Sequence, residues 1–237
     1  MGFRKAEAYN MQEVLDALKG IKDQKLRVYG AITLYLAARS GEIMPYRHYH
    51  YEYERNDEGK VMKTKSQDGS TKYASKRKVI SSYDSPGIEV SSILILEDYI
   101  KFKVPVFKCK ELVYDSAFIF KKNNPFFDEI KEYIIARKIL KEQVNKPVYL
   151  FQAPGDVEKF FYSFKRRFAR AFKKQLPGAK VHSLRKSMAT YAAVISGGDV
   201  FFVKGVTRHR KLETLTEYVA PVKLEKQFRS YLEGSVL

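Results

Sequence analysis

Apolar residues recur at helical spacing over Met11–Leu18, where Met11, Val14, Leu15 and Leu18 share one face. Asn10 stands where an N-cap is needed and Gly20 where the helix should stop. A second helix is expected from about Asp23 to Ala38, apolar at Leu26, Val28, Ile32, Leu34 and Leu36. It ends in the turn Ala38-Arg39-Ser40-Gly41-Glu42, which lifts Arg39 off the helix end. From Tyr46 the period becomes two: Tyr49, Tyr51 and Tyr53 alternate with His48, His50, Glu52 and Glu54, as in a strand. Asn56–Lys78 is polar and lysine-rich, with Gly59 and Gly69, and fits either a hairpin tip or a loop. Residues 46–92 therefore read as a polar insertion or hairpin.

Ile93–Leu96, Tyr99–Lys110 and Tyr114–Phe120 read as strands separated by short turns. Pro105 has no amide to donate, which marks the second as an edge or bulged strand. Helices follow at Pro125–Gln143, at Asp156–Leu176 with Asp156 as N-cap, and at Ser183–Ile195. A short one is expected near Asp199–Lys204 and a last one from about Val222 to Leu232. Helices, a small antiparallel sheet, then helices again make an α+β fold, mainly helical, without βαβ alternation. The whole of 1–237 reads as a single domain, with no internal repeat.

Composition narrows the partner. Lys and Arg number 44 against 27 Asp and Glu, a net charge of +17, which points to a polyanion and above all to nucleic acid. With 45% hydrophobic residues the chain can build a core, so global disorder is excluded. The lone cysteine, Cys109, excludes an internal disulfide and every multi-cysteine metal site, and reads as a small buried hydrophobe. The longest apolar run, Gly30–Ala38, is far short of the roughly 20 residues a membrane span requires. The N-terminus has no apolar signal core, so a soluble, cytoplasmic protein with no membrane partner is expected. His48, His50 and Glu52 fall on one strand face in a zinc-like spacing, but without a fourth ligand they read as a solvated face. Neither a metal nor another cofactor is expected.

The remaining histidines are informative. His182 and Arg185 sit three apart near a helix start, sharing a face; His209 follows, and Tyr218 lies nine residues beyond it; far upstream stand Arg39 and Glu42. Together these resemble the tyrosine recombinase (integrase) family. Its signature is an Arg three before a Glu, a hairpin Lys, His-x-x-Arg, a second His and a Tyr nine later. Ala189-Thr190 follow His-x-Leu-Arg here as they often do in that family. The resemblance runs from about Met11 to the C-terminus, weakest over 46–92. In strand order and motif spacing it is most similar to the integrases of archaeal viruses and plasmids.

The resemblance implies a site-specific recombinase that cleaves and rejoins double-stranded DNA through a 3′-phosphotyrosyl intermediate, without metal or ATP. A phosphodiester is anionic, so its charge must be neutralised before an anion attacks, and arginines do this with permanent, bidentate donors. Arg39 and Arg185 take that clamp, with His209 donating a further hydrogen bond. Tyr218 is the nucleophile; its ordinary pKa near 10 demands a base and a cationic pocket, and His182 is the candidate base. A hairpin lysine protonates the leaving 5′-oxygen, with Lys110 preferred and Lys108 the second choice. The family acts as a homo-tetramer on two duplexes, and residues 222–237 are the candidate element exchanged between subunits. Little precedes the Arg39 helix pair, so the family's N-terminal DNA-binding domain is expected to be absent.

Departures from the family pattern are specific. Leu36-Ala37-Ala38-Arg39 replaces Thr-Gly-x-Arg, and Thr207-Arg208-His209 replaces Leu-Gly-His, which makes Arg208 a second candidate for the phosphate role of His209. Lys186 stands where many relatives have His. Within 160–174, aromatics interleave with Lys165, Arg166, Arg170 and Lys173 at helical spacing, giving a core face and a basic face suited to a DNA backbone. Other readings of the chain are a type IB topoisomerase-like strand cleaver, a DNA-binding module without catalysis and a basic RNA-associated protein.

Overall fold

The structure, a computed structural model, describes residues 7–65, 71–73, 76–108, 111–151, 157–209 and 211–222. At 47–51, 72, 73, 76–84, 107, 108, 111, 157 and 158 only the backbone is described.

Helix α1 (Met11–Lys19) is closed at its start by a capping box: the Asn10 side chain accepts the Gln12 amide at 2.8 Å, and the Glu13 carboxylate accepts the Asn10 amide at 3.1 Å. Helix α2 (Gln24–Tyr35) starts on Asp23, whose carboxylate accepts the Leu26 amide at 3.0 Å. It is buried on nearly every side and forms the centre of the molecule, with the Tyr29 ring meeting Phe151, Phe164 and Phe168 edge-on at 5.0–5.6 Å. The helix stops short of the expected Ala38, because Ala37 takes a left-handed φ of 42°. That is the position where the family pattern has Gly; here an alanine holds the turn, and Arg39 becomes the N-cap of the short α3 (Ser40–Ile43).

Within the segment read as hairpin or loop, the described strands pair antiparallel. Strand β1 (Tyr46–Tyr53) pairs antiparallel with β4 (Lys76–Ser85), and β2 (Lys63–Lys65) with β3 (Thr71–Tyr73) beyond it. A turn of 3-10 helix at Val90–Ser92 leads into the three-stranded sheet of β5 (Leu94–Ile95), β6 (Tyr99–Lys108) and β7 (Glu111–Phe120). Strand β6 is the middle one, but β5 covers only Ile100 and Lys101, so Pro105 has a strand partner on the β7 side alone. The β6–β7 register runs unbroken from Tyr99↔Phe120 to Lys108↔Glu111, so β7 starts three residues before its expected position and no bulge is needed.

Helix α4 (Phe127–Glu142) is tied to α2 by Arg27 and Glu129 at 2.6 Å. Helix α5 (Val157–Gln175) buries Phe161, Phe164, Phe168 and Phe172 and exposes Arg166, Arg170 and Lys173, as its pattern predicts; the expected cap Asp156 lies outside the described residues. Helix α6 (Val181–Ile195) begins two residues early, and α7 (Val200–Thr207), capped by Asp199, runs three residues past its expected end. Residues 216–222 are helical (α8), so Tyr218 sits on a helix that starts well before Val222; most of the expected Val222–Leu232 helix lies outside the described residues. Beside the main core, Ala189, Ala192, Ala193, Val203, Leu215, Tyr218 and Val219 form a second small cluster between α6, α7 and α8. Among the described residues no helix is long and apolar enough to cross a membrane.

Candidate active site

The site is assembled around Glu42, a buried carboxylate in the first turn of α3. It accepts the Arg39 backbone amide at 2.9 Å and the Arg39 Nη1 at 3.1 Å, the near end of an Arg-x-x-Glu spacing. From the other end of the chain Arg208 donates Nη2 to it at 3.2 Å, and Arg185 Nη1 stands 3.8 Å away. One carboxylate therefore holds three guanidinium groups.

Arg185, on the inner face of α6, is 2% exposed. Its Nη1 donates to the Ala37 carbonyl at 2.6 Å and its Nη2 to the Thr207 carbonyl at 2.7 Å, while the buried Nε has no partner. Burial lowers its pKa to about 10, with Glu42 opposing, so it remains a cation at neutral pH. Ala37, left-handed in the family's glycine position, is thus the residue whose carbonyl orients Arg185. Arg208 is also left-handed (φ 57°), at the end of α7. Its Nη1 donates to the Leu36 carbonyl at 2.6 Å and more weakly to that of Val206. Its guanidinium braces the α7 end against the α2 end, which distinguishes it from the half-exposed Arg39.

Both histidines are held neutral. Burial first, then the charges of Arg185 and Arg39, push His209 down to about 4. His182 is lowered by the same causes, with Lys186 adding to them. The Thr207 hydroxyl donates to the Val203 carbonyl at 2.7 Å, so its 2.7 Å contact with His209 Nδ1 assigns the proton to Nδ1. The other ring nitrogen, Nε2, is then an acceptor.

Tyr218 packs near His209, ring centroids 6.4 Å apart, and Lys186 Nζ lies 5.9 Å from the Tyr218 centroid. Its pKa is raised well above the ordinary tyrosine value by burial, then by its hydrogen bond to the Glu217 carboxylate and that group's charge, against a pull from Arg185. Lys186 pairs with Glu217 at 3.4 Å. The tyrosine is thus a protonated phenol, engaged by its sequence neighbour.

Two clefts open on this arrangement. One, of about 590 Å³, is lined by Arg39, Glu42 and His182 with Tyr46, Phe161 and Lys165. The second, of about 570 Å³, is lined by Arg208, His209, Phe201, Lys204, Asp115 and Ser116, so the β6–β7 hairpin runs past it. Of the sequence-derived residues, Arg39, Arg185, His182, His209 and Tyr218 come together; Lys110 lies outside the described residues, as does the Lys108 side chain. The side chains of His48 and His50 lie outside them too, and among the described residues no three His, Cys, Asp or Glu gather as metal ligands. Sequence reading gave Glu42 only as a spacing mark. Its contact with Arg208 spans 166 positions, and no local pattern signals it.

Glu42→Gln keeps the side chain's shape and leaves the three arginines without a counter-charge, a change expected to cost about 3–5 kcal/mol in urea unfolding. A loss under about 1 kcal/mol would mean that the backbone carbonyls alone hold them. His209 gives a pH test: unfolded, it takes up its proton near 6.5, whereas folded it does so only near 4. Its contribution to stability is therefore complete above 6.5 and lost as pH falls from 6.5 to 4. The wild-type melting temperature should fall more steeply across that window than that of His209→Asn, and parallel curves would contradict the assignment.

No family model and no curated protein matches the sequence. Solved structures do share the fold. A crystal structure of the XerH site-specific recombinase, bound to its palindromic difH substrate in a post-cleavage complex, aligns with 97% of this chain at a TM-score of 0.58 and 13% identity. The XerA recombinase aligns with 96% of it at a TM-score of 0.57 and 15% identity. The chain spans 54% of the XerH chain and 67% of the XerA chain. Its mainly helical fold, with a small antiparallel sheet, is shared with these two recombinases.

Proposed function

We propose that the chain is the catalytic part of a site-specific DNA recombinase that breaks and rejoins DNA through a 3′-phosphotyrosyl bond. The observation that carries this reading is the convergence, on a recombinase-like fold, of an arginine pair, two neutral histidines and a tyrosine from distant segments of the chain. Double-stranded DNA is the partner this chemistry calls for, with a homo-tetramer on two duplexes as the working assembly. The finer assignment, to integrases of archaeal viruses and plasmids, rests on strand order and motif spacing.

In this mechanism Arg39 and Arg185 hold the non-bridging phosphate oxygens. Neutral His182 accepts the phenolic proton as Tyr218 Oη attacks phosphorus. The P–O5′ bond breaks and its oxygen is protonated by Lys110, with Lys108 the second candidate. The reverse sequence reseals the strand: the 5′-hydroxyl attacks, the phosphotyrosyl bond breaks and Tyr218 recovers its proton. The phosphodiester's energy is kept in the phosphotyrosyl bond, so neither ATP nor a metal is called for. His209 donates to the phosphate only after taking up a proton at Nε2, which the arriving anion favours. Tyr218 must exchange its bond to Glu217 for one to the base.

A nicked suicide duplex drawn from the DNA flanking the gene tests this, with wild type and Tyr218→Phe compared on a denaturing gel without added metal. Wild type should give a protein–DNA adduct that survives detergent, and Tyr218→Phe none. An adduct from both proteins, or none from wild type on DNA that it binds, would overturn the reading and favour a binding module without catalysis.

A further inference from the structure

The mechanism leaves one large element unused, the ribbon of β1 and β4 with β2 and β3 at its far end. Its root is fixed beside the site. The Ser85 hydroxyl donates to the Gly41 carbonyl at 2.6 Å, inside the turn that carries Arg39 and Glu42. The Tyr46 ring packs on Phe161 at 4.5 Å, and Tyr46 lines the same cleft as Arg39, His182 and Lys165. Gly87, with φ 76°, lets the returning chain lie against the backbone of Ile43–Pro45, where a Cβ would come within 2.7 Å. The ribbon thus springs from the lip of the cleft.

Away from the root its character changes. Strand β1 has 8 residues, about 26 Å of extended chain. The bridge Arg55↔Val61 closes a tight turn after it, and the Lys63↔Tyr73 to Lys65↔Thr71 pairs form a second short ribbon beyond. From Glu54 to Lys65 no residue is buried, so nothing in the described chain covers this part. Between 56 and 78 the sequence has seven Lys or Arg against three Asp or Glu. A bare two-stranded ribbon is marginal in water by itself. Its basic charge fits a polyanion, and a B-DNA major groove, about 12 Å wide, admits a two-stranded β-ribbon.

We infer that this ribbon lies in the major groove of the duplex beside the phosphate held at Arg39, with Lys60, Lys63 and Lys65 contacting the backbone. The inference rests on DNA being the partner. It extends the footprint past the basic face of α5, which adjoins the same cleft through Lys165.

The test compares the intact chain with the triple variant K60Q/K63Q/K65Q, whose exposed positions leave the fold intact, as a thermal melt will verify. The probe is a fluorescein-labelled mixed-sequence duplex, read by anisotropy against salt and by displacement of the major-groove dye methyl green. The intact chain should displace the dye and show a log affinity–log salt slope steeper by about 3 than the variant's, near 0.9 per lost phosphate contact. The variant should displace the dye poorly. Equal slopes, or dye retained under saturating intact protein, would overturn the ribbon assignment while leaving DNA as the partner. A variant effect confined to self-association in light scattering would instead make the ribbon a contact between copies. An intact chain with no salt-dependent DNA binding would overturn this inference together with the recombinase reading.

Discussion

One carboxylate organises the site. Glu42 is bonded to Arg39 within its own turn and to Arg208 from the end of α7, with Arg185 of α6 close by. Three guanidinium groups this close would repel one another, and a single buried anion makes their grouping tenable. It leaves the cluster with an excess of positive charge, a standing invitation to an anion. Burial is the first reason His182 and His209 stay neutral, and the charges of Arg185 and Arg39 add to it, since an added proton would face them. One buried carboxylate thus groups the cations whose excess charge favours an anion and whose field adds to burial at the histidines.

The arginine cluster and the tyrosine are held by different parts of the molecule. Arg185 and Arg208 are anchored to carbonyls at the end of α2, the most deeply buried helix, which fixes them firmly. Tyr218 belongs to a separate cluster built largely from alanines and valines. Small side chains bury little apolar area, so that cluster opens more readily than the main core. Arginines held rigidly beside a more loosely docked tyrosine suit the proposed reaction, in which Tyr218 leaves Glu217, attacks and is later released.

Much of this was legible in the sequence. Asn10, Asp23 and Asp199 cap the helices they were expected to cap or to open, and the aromatic and basic faces of α5 separate as their spacing predicts. Alternation marked β1, whereas Pro105, read as the sign of an edge or bulged strand, lies in the middle strand of an unbulged pair, at a place where only β7 faces it. What local pattern did not carry was long-range. The pairing of β1 with β4 joins segments whose polar composition fits loop as well as strand. The burial of Arg185 and Arg208 runs against the usual exposure of arginine, and only their carbonyl and carboxylate partners, far away in sequence, make it tenable. The left-handed turn at Ala37 was hidden because alanine stands where glycine would have announced it.

The claim at the centre of this account is that Tyr218 carries the covalent bond to DNA. Tryptic digestion of a nuclease-trimmed adduct tests it directly, because the peptide following Lys211 contains Tyr218 as its sole tyrosine. Mass analysis should find a nucleotide 3′-phosphate on that peptide, and the released strand should bear a free 5′-hydroxyl. A nucleotide on any other peptide, or one attached through its 5′-phosphate, would contradict the account.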